Sequence, residues 1–255
     1  MLQGIDRLVI DLQDIGARYY TFAWTLALCM KACAKNDIPV TVLDRPNPIN
    51  GITIEGPLLQ REFASFVGLH PLPVRHAMTV GELARHFQET YYQNCDLTVV
   101  QLHGWDRKTF FDQTGLPWVM PSPHMPTLDT AAVYPGQCLL EGTNVSEGRG
   151  TAKPFETFGA PFIDGYKLCE ELNALKLEGV VFRPVQFQPT FQKYSGEVCQ
   201  GAFIHVTNRK SFKPVLTTLA VLWSLNRMWS GNFAWKQPPY EYEERLLPID
   251  VLAGT

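Results

Sequence analysis

The chain has few cysteines and little excess charge, and each shortage excludes a class of protein. Cysteine accounts for 6 of the 255 residues, and no Cys-x-x-Cys pair occurs, so the sequence predicts neither a disulfide-stabilised fold nor a thiolate metal site. Charged residues make up 18% of the chain and the formal net charge is -3. Nucleic-acid binding and attachment to an anionic membrane surface both need a basic surface, so neither is expected. No apolar run reaches about eighteen residues, so no membrane-spanning helix is predicted.

Sequence signals for export, nucleotides and catalytic metals are also missing. The first residues have no basic region followed by an apolar one, as a secretory signal would. Gly148 and Gly150 lack the third glycine of a dinucleotide-binding turn, and no strand leads directly into them. Neither Gly-x4-Gly-Lys-Ser/Thr nor His-Glu-x-x-His occurs. The motifs therefore give no support for a nucleotide cofactor or a metal.

The first half of the chain has the pattern of a parallel α/β unit. Hydrophobic residues make up 45% of the sequence, which is enough for one large core or two modest ones. An apolar strand over 7–12, an apolar helix over 21–35 and a strand over 39–43 predict a βαβ unit with a right-handed connection. An amphipathic helix over 79–88 and a third strand over 97–102 extend this pattern.

The second half has a different pattern, typical of an α+β unit. Residues 115–161 are rich in glycine, proline and threonine, and we interpret them mostly as ordered loop. Next come a helix over 165–175 with Asp164 as its N-cap, strands near 180–187 and 202–206, and a helix from 214 to about 229. The final Leu-Ala-Gly-Thr shows no helix-stop signal.

These patterns predict an α/β protein with two parts. Residues 1–161 would form a domain with a parallel α/β unit and a long loop over 141–161. Residues 162–255 would form a smaller α+β subdomain.

Polar side chains follow the strands of the predicted parallel sheet. Asp14 and Arg18 follow the first strand, and Asp44, Arg45 and Asn47 follow the second. Ligands of open parallel sheets bind beyond the carboxyl ends of the strands, so we predict that these side chains share one rim. Two prolines stiffen the Asp-Arg-Pro-Asn-Pro turn and would aim its side chains. The alternative is an Asp–Arg ion pair that only ties the loop down.

The loop over 141–161 gathers further candidate residues around three glycines. It contains Asn144, Glu147, Arg149 and Glu156. Carboxylates are the groups that glycoside hydrolysis needs, and an arginine could pair with an acidic substituent. The alternative is an ordered surface loop with local ion pairs.

Two residues near the amphipathic helix are interpreted differently. His76 precedes the helix and either faces the pocket or has a structural role. Thr79 and Glu82 have the spacing of a capping box, which accounts for Glu82 without a catalytic role.

Several long runs of the sequence resemble the NamZ-type exo-β-N-acetylmuramidases. The runs are IDRLVIDLQDIGARYYTF, VLDRPNPINGITIEGPLL, RHAMTVGELA, MPSPHMPTLDTAAVYPG and EGTNVSEGRGTAKPFETFGAP. The resemblance implies a Rossmann-like domain over 1–161, with an incomplete parallel sheet and an active-site loop over 141–161, and a smaller α+β subdomain over 162–255. The active site would lie between them. The implied activity is hydrolysis of terminal, non-reducing β-1,4-linked N-acetylmuramic acid from peptidoglycan fragments, without a nucleotide or metal cofactor. Muramyl saccharides are the implied partners, and no obligate protein partner is inferred.

With the resemblance, the candidate residues acquire expected roles. Arg149 or Arg45 would pair with the lactyl carboxylate of muramic acid. A retaining, inverting or substrate-assisted mechanism is left open. The expected catalytic carboxylates are Glu147 and Asp14, and the expected substrate-binding residues are Arg18, Tyr20, Asp44, Arg45, Asn47, His76, Asn144, Arg149 and Glu156.

The resemblance also predicts that the chain is truncated at both ends. Members of the family carry an upstream Gly-Pro-Glu-His-Gly motif whose glutamate is the usual catalytic candidate. The alternative function is therefore a glycan-binding remnant without catalysis. A full-length relative is expected to be periplasmic or extracellular.

Overall fold

The computed structural model describes residues 2–255, which form one parallel and two antiparallel sheets with helices packed against them. The strands are β1 (Leu8–Ile10), β2 (Val40–Leu43), β3 (Glu55–Leu58), β4 (Pro73–Arg75), β5 (Leu97–Val100), β6 (Thr157–Ala160), β7 (Val180–Phe187) and β8 (Cys199–Val206). The helices are α1 (Phe22–Ala34), α2 (Val80–Thr90), α3 (Leu128–Gln137), α4 (Gly165–Ala174), α5 (Pro214–Met228) and α6 (Pro248–Ala253).

The parallel sheet has the strand order β1-β2-β5, which confirms the α/β class. Both crossovers run in the same direction across the sheet, so right-handed connections place α1 and α2 on the same face. There they enclose a core that includes Trp24, Met30 and Phe87. On the opposite face Val9 is 56% exposed and Val100 is 51% exposed. The sheet is therefore covered on one side only.

The second core lies around an antiparallel sheet of order β6-β8-β7. Helix α3 packs against α5, and α4 packs against β7 and β8. Ile15 and Tyr19, which follow β1, are buried in this second core as well. The short antiparallel pair β3-β4 was not predicted from the sequence. No helix among residues 2–255 is both long and apolar enough to cross a membrane.

Most of the predicted elements are confirmed, but the predicted loop over 115–161 is wrong at α3 and β6. Helix α3 starts at Thr127, whose hydroxyl accepts the N–H of Thr130. All of α3 except Asp129 is buried, so it has no amphipathic periodicity, and Pro135 lies in its last turn. The predicted capping box of α2 is confirmed.

The final residues do contain a helix-stop signal. Helix α6 begins at Pro248, and Gly254 follows it in the left-handed conformation with φ of 76°. Glycine at this position is the commonest way to end a helix. The boundary near residue 161 stays a prediction. Strand β6 lies before that boundary, although it pairs with β8 beyond it.

Candidate active site

A tight turn after β1 brings Asp14 next to His76. The chain turns at Gly16, whose φ is 81°, and Ala17 then pairs with Arg75 in an antiparallel bridge. Since His76 follows Arg75 directly, this bridge sets the two side chains facing each other. Asp14 Oδ2 lies 3.3 Å from His76 Nε2, and both side chains are almost fully buried.

The hydrogen bonds around this pair fix the histidine tautomer and leave polar atoms unpaired. His76 Nδ1 accepts the N–H of Met78 at 3.2 Å, so the ring proton lies on Nε2, facing Asp14. Asp14 Oδ2 accepts the N–H of Gly16 at 2.6 Å. Within residues 2–255, Asp14 Oδ1, His76 Nε2 and the Tyr20 hydroxyl are buried without a hydrogen-bond partner. Because nearly all buried polar groups are paired, three such atoms on neighbouring side chains indicate a site for a polar group.

A cluster of charged side chains surrounds Glu147. Glu147 Oε2 accepts a hydrogen bond from Lys193 Nζ at 2.9 Å, and Oε1 lies 3.5 Å from Arg149 Nε. Lys193 Nζ also donates to the carbonyl oxygens of Leu140 and Val145, each at 2.9 Å. The Glu147 side chain is 3% exposed, so two cations compensate a buried carboxylate.

The outer side of Arg149 contacts a second carboxylate and a histidine. Its Nη2 donates to Glu141 Oε1 at 2.6 Å, and its Nη1 lies 2.6 Å from His124 Nδ1. The Tyr240 hydroxyl donates to Glu141 Oε2 at 2.8 Å. Burial opposes the charge of Arg149, but the charge and hydrogen bond of Glu141 outweigh it and raise the arginine pKa. Burial, and then the charge of Arg149, lower the pKa of His124 and favour its neutral form.

Aromatic rings lie between the Asp14 group (Asp14, His76 and Tyr20) and the charged cluster around Glu147 (the Glu147 cluster). The rings of Tyr20 and Tyr134 meet edge to face at 6.0 Å, and those of Tyr134 and Phe155 at 4.7 Å. Burial, and then the charge of Asp14, raise the pKa of Tyr20. The same loop supplies Ser122, which approaches the Tyr20 hydroxyl, and His124. The two groups are therefore neighbours.

A cavity of about 460 Å³ opens at the carboxyl ends of β1 and β2. Arg45 and Asp11 lie at the cavity and form an ion pair, with Nη2 and Oδ2 2.8 Å apart. Phe22 contributes to the largely apolar wall, and its ring lies 4.9 Å from that of Tyr20. Arg45 therefore pairs with Asp11 and not with Asp44 of its own turn, whose carboxylate accepts hydrogen bonds from Thr79 and Gly81 instead.

Two family models match the chain one after the other. The model for the N-terminal part of exo-beta-N-acetylmuramidase NamZ matches residues 1–129, and the model for its C-terminal part matches residues 132–255. The chain belongs to the NamZ family.

Relatives and solved structures agree with this assignment. The peptidoglycan beta-N-acetylmuramidase NamZ of Bacillus subtilis (strain 168) is 51% identical over 233 residues, which are 91% of this chain and 56% of that protein. A crystal structure of a DUF1343 family protein from Bacteroides fragilis has a TM-score of 0.91 at 34% identity, covering 100% of this chain and 66% of that one. A second such protein from the same organism has a TM-score of 0.73 at 28% identity and covers 98% of this chain and 65% of that one. The chain thus spans just over half the length of its curated relative.

Two of the residues predicted to bind substrate in this NamZ chain have structural contacts instead. Arg18 is fully buried, and Asn47 is 2% exposed. Asn47 accepts the N–H of Ile49 and donates to the carbonyl of Met78. The guanidinium of Arg18 donates to the carbonyl oxygens of Pro57, Leu72, Leu252 and Ala253. We therefore leave both outside the candidate site.

Three further predicted residues also have local contacts that account for them. Asp44 accepts hydrogen bonds from the Thr79 hydroxyl and the N–H of Gly81 at the start of α2. The Asn144 side chain donates to the carbonyl oxygen of Asn232 and accepts the N–H of Ala234. Glu156 accepts hydrogen bonds from the hydroxyls of Thr127 and Thr130 and lies 3.3 Å from Lys153 Nζ.

The structure adds four residues that the sequence-based list lacks: His124, Glu141, Lys193 and Tyr240. His124 lies in one of the runs that carry the family resemblance, and Glu141 begins the loop over 141–161. Lys193 and Tyr240 come from distant connections, and no motif marks them. Among residues 2–255, no group of three or more histidine, cysteine, aspartate or glutamate side chains is arranged to hold a metal ion.

Proposed function

We propose that this chain takes part in the hydrolytic release of terminal, non-reducing N-acetylmuramic acid from peptidoglycan fragments. The observation that carries the proposal is the 51% identity to the Bacillus subtilis peptidoglycan beta-N-acetylmuramidase, which extends over 91% of this chain. Asp14 and the cavity support it, because Asp14 has an unpaired carboxylate oxygen and directly follows Gln13, which lines the cavity.

Asp14 is our candidate for the reacting carboxylate. Glycoside hydrolysis needs a group that accepts a proton from water or from the 2-acetamido group, or that stabilises the anomeric carbon. Gly16 holds Asp14 through Oδ2, which also lies 3.3 Å from His76 Nε2, while Oδ1 has no hydrogen-bond partner in the described chain. Asp14 is therefore oriented and still has an oxygen with which to act. His76 would serve as its positioning residue.

Glu147 is assigned a supporting role. Both of its oxygens face cationic nitrogens, those of Lys193 and Arg149. An acid catalyst must reach the leaving oxygen with one of its own oxygens, and both oxygens of Glu147 already face protein nitrogens. Glu147 would instead fix the position of Arg149.

Arg45 is our candidate for binding the lactyl carboxylate of muramic acid. The nitrogens of Arg149 already face Glu141, Glu147 and His124. The Arg45 side chain is 41% exposed and lines the cavity, with Asp11 holding one side of its guanidinium. A substrate carboxylate can therefore reach Arg45 without breaking a buried ion pair.

The direct test is release of N-acetylmuramic acid from a chromogenic β-muramide, with the Bacillus subtilis relative as positive control. We expect Asp14→Asn to lower the rate about 100-fold, the usual contribution of a general acid–base group. Asp164→Asn, at the N-cap of α4, is the matched control and should keep the wild-type rate. Equal rates for Asp14→Asn and wild type would refute the role of Asp14.

Glycan binding without cleavage is the second candidate function. It is favoured by the carboxylates of Glu141 and Glu147, whose oxygens are all engaged by protein donors or cations. A folded chain that binds muramyl saccharides but releases no N-acetylmuramic acid, while the relative does, would establish this function in place of hydrolysis.

A further inference from the structure

The connection between β7 and β8 presents an exposed aromatic ring beside the Glu147 cluster. Lys193 points inward from this connection to Glu147, whereas Phe191 is 45% exposed. The backbone N–H and the hydroxyl of Thr190 both donate to the carbonyl of Gly150 at 3.0 Å. Any side chain at Gly150 would collide with Phe191, since an added Cβ would lie 2.7 Å from its carbonyl oxygen. The backbone that carries Phe191 is therefore held close to Gly150.

His124 lies next to this ring and offers a hydrogen-bond donor of fixed identity. Arg149 donates to His124 Nδ1 at 2.6 Å, so the proton of the neutral ring lies on Nε2. In the described part of the chain, Nε2 has no hydrogen-bond partner and is not among the buried unpaired atoms, so solvent reaches it. The rings of His124 and Phe191 are 5.5 Å apart, inclined at 45°.

The neighbouring cations are not free to bind an anion at this place. Lys193 Nζ directs its three hydrogens at Leu140, Val145 and Glu147. The three nitrogens of Arg149 face Glu141, Glu147 and His124. A ligand here meets an apolar ring and a neutral donor. A neutral sugar suits that pair, because a pyranose has an apolar C–H face and oxygens at its edge.

We propose that His124 and Phe191 form a subsite for a neutral N-acetylhexosamine unit of the glycan. The C–H face of the sugar packs on Phe191, and an oxygen of the sugar accepts a hydrogen bond from His124 Nε2. The inference rests on the proposed function for its substrate class. It adds a contact for the sugar next to the terminal muramic acid.

The subsite is tested by the affinity of the chain for chitobiose, measured by calorimetry. We expect Phe191→Ala to weaken binding about tenfold, the scale of one aromatic contact with its buried surface. Phe191→Trp should retain wild-type affinity, and His124→Phe should weaken binding about fivefold, the loss of one hydrogen bond. Tyr166→Ala, which removes an aromatic side chain that is 78% exposed on α4, is the matched control and should bind like wild type. Unfolding midpoints check that each variant is folded.

The outcomes separate the subsite from the proposed function. Wild-type affinity of both Phe191→Ala and His124→Phe would overturn the subsite, and so would a folded wild-type chain that binds no chitobiose. KM for release of N-acetylmuramic acid from a muramyl disaccharide should rise about tenfold in Phe191→Ala and stay at the wild-type value in Tyr166→Ala. Loss of chitobiose binding in Phe191→Ala without any muramidase activity in wild type would keep the subsite and refute the proposed hydrolysis.

Discussion

Replacing Lys193 by methionine should destabilise the fold more than removal of an exposed lysine. The ammonium group compensates the buried carboxylate of Glu147 and donates to two backbone carbonyls. Methionine fills a similar volume but leaves all three acceptors without this donor. Arg149 remains near Glu147, at 3.5 Å, and compensates its charge only in part.

The size of the effect follows from burial. Removing one partner of a buried ion pair costs about 3–5 kcal/mol, and because the Lys193 side chain is 20% exposed we expect roughly 3 kcal/mol. For a protein of this length that loss lowers the unfolding midpoint by roughly 6–12 °C. Glu147→Leu combined with Lys193→Met should recover about 1–2 kcal/mol, since no uncompensated charge is then buried.

Thermal and urea unfolding, followed by the fluorescence of the six tryptophans, measure these differences. Lys167→Met is the matched control, because Lys167 pairs with Asp164 at 3.6 Å while 73% exposed. An exposed pair contributes about 0.5 kcal/mol or less. If the two lysine variants unfolded at the same midpoint, the Glu147 pair would not be a buried pair in solution, and the reasoning would be refuted.

Three further predictions use other parts of the site. Gly16→Ala should destabilise the protein by about 3 kcal/mol, because it adds backbone strain and places a Cβ 2.6 Å from Asn47 Oδ1. The control Gly104→Ala has a similar φ but open space around it and should cost about 1 kcal/mol. Equal unfolding midpoints of the two variants would contradict this prediction. Arg45→Met should raise KM for a β-muramide about tenfold. It should leave the affinity for chitobiose unchanged, because chitobiose has no lactyl group. Equal losses on both ligands would exclude Arg45 as the partner of the lactyl carboxylate. The folded state lowers the pKa of His124 below 6.5, so the unfolded chain binds the proton first and stability should fall as pH drops below about 6.5. In His124→Gln that fall should be smaller in urea titrations at pH 5 and pH 7, and an unchanged pH dependence would contradict the assignment.

The parallel half of the fold could be predicted because its signals are local. Strands β1, β2 and β5 are short apolar runs, α1 is apolar throughout, and the capping box at Thr79 marks the start of α2. Helix α3 was not predicted, because no such local signal marks it. It is buried on almost every side, and its Gly136 lies so close to α5 that a Cβ would be 2.0 Å from the carbonyl of Pro214. Proline and glycine favour a loop in a sequence, although here they permit close helix packing.

The candidate site was predictable only in the residues that follow the strands. Asp14 and Arg45 do lie at the carboxyl ends of the parallel strands, as that rule requires. The roles of Arg18 and Lys193 depend on partners far away in sequence, α6 in one case and the loop before β6 in the other. A single sequence cannot distinguish an arginine that binds four backbone carbonyls from one that binds a substrate, because the residue and its neighbours are the same in both cases.

The structure also changes which carboxylate is the better catalytic candidate. In the sequence, Glu147 and Asp14 are equal candidates, because each lies in a short segment that also contains glycine and arginine. In the fold, Glu147 is compensated by two cations, whereas Asp14 faces the ring of His76 through one oxygen and keeps the other unpaired. Fixed cations compensate the charge of a buried carboxylate, but they also occupy the oxygens that would otherwise contact a substrate. A carboxylate that must accept a proton at the substrate needs the opposite environment, with an oxygen left available beside a cavity. Asp14 keeps one oxygen unpaired and directly follows Gln13 at the cavity wall, whereas both oxygens of Glu147 face cations. The mutational test of hydrolysis therefore begins at Asp14 and the test of stability at Lys193.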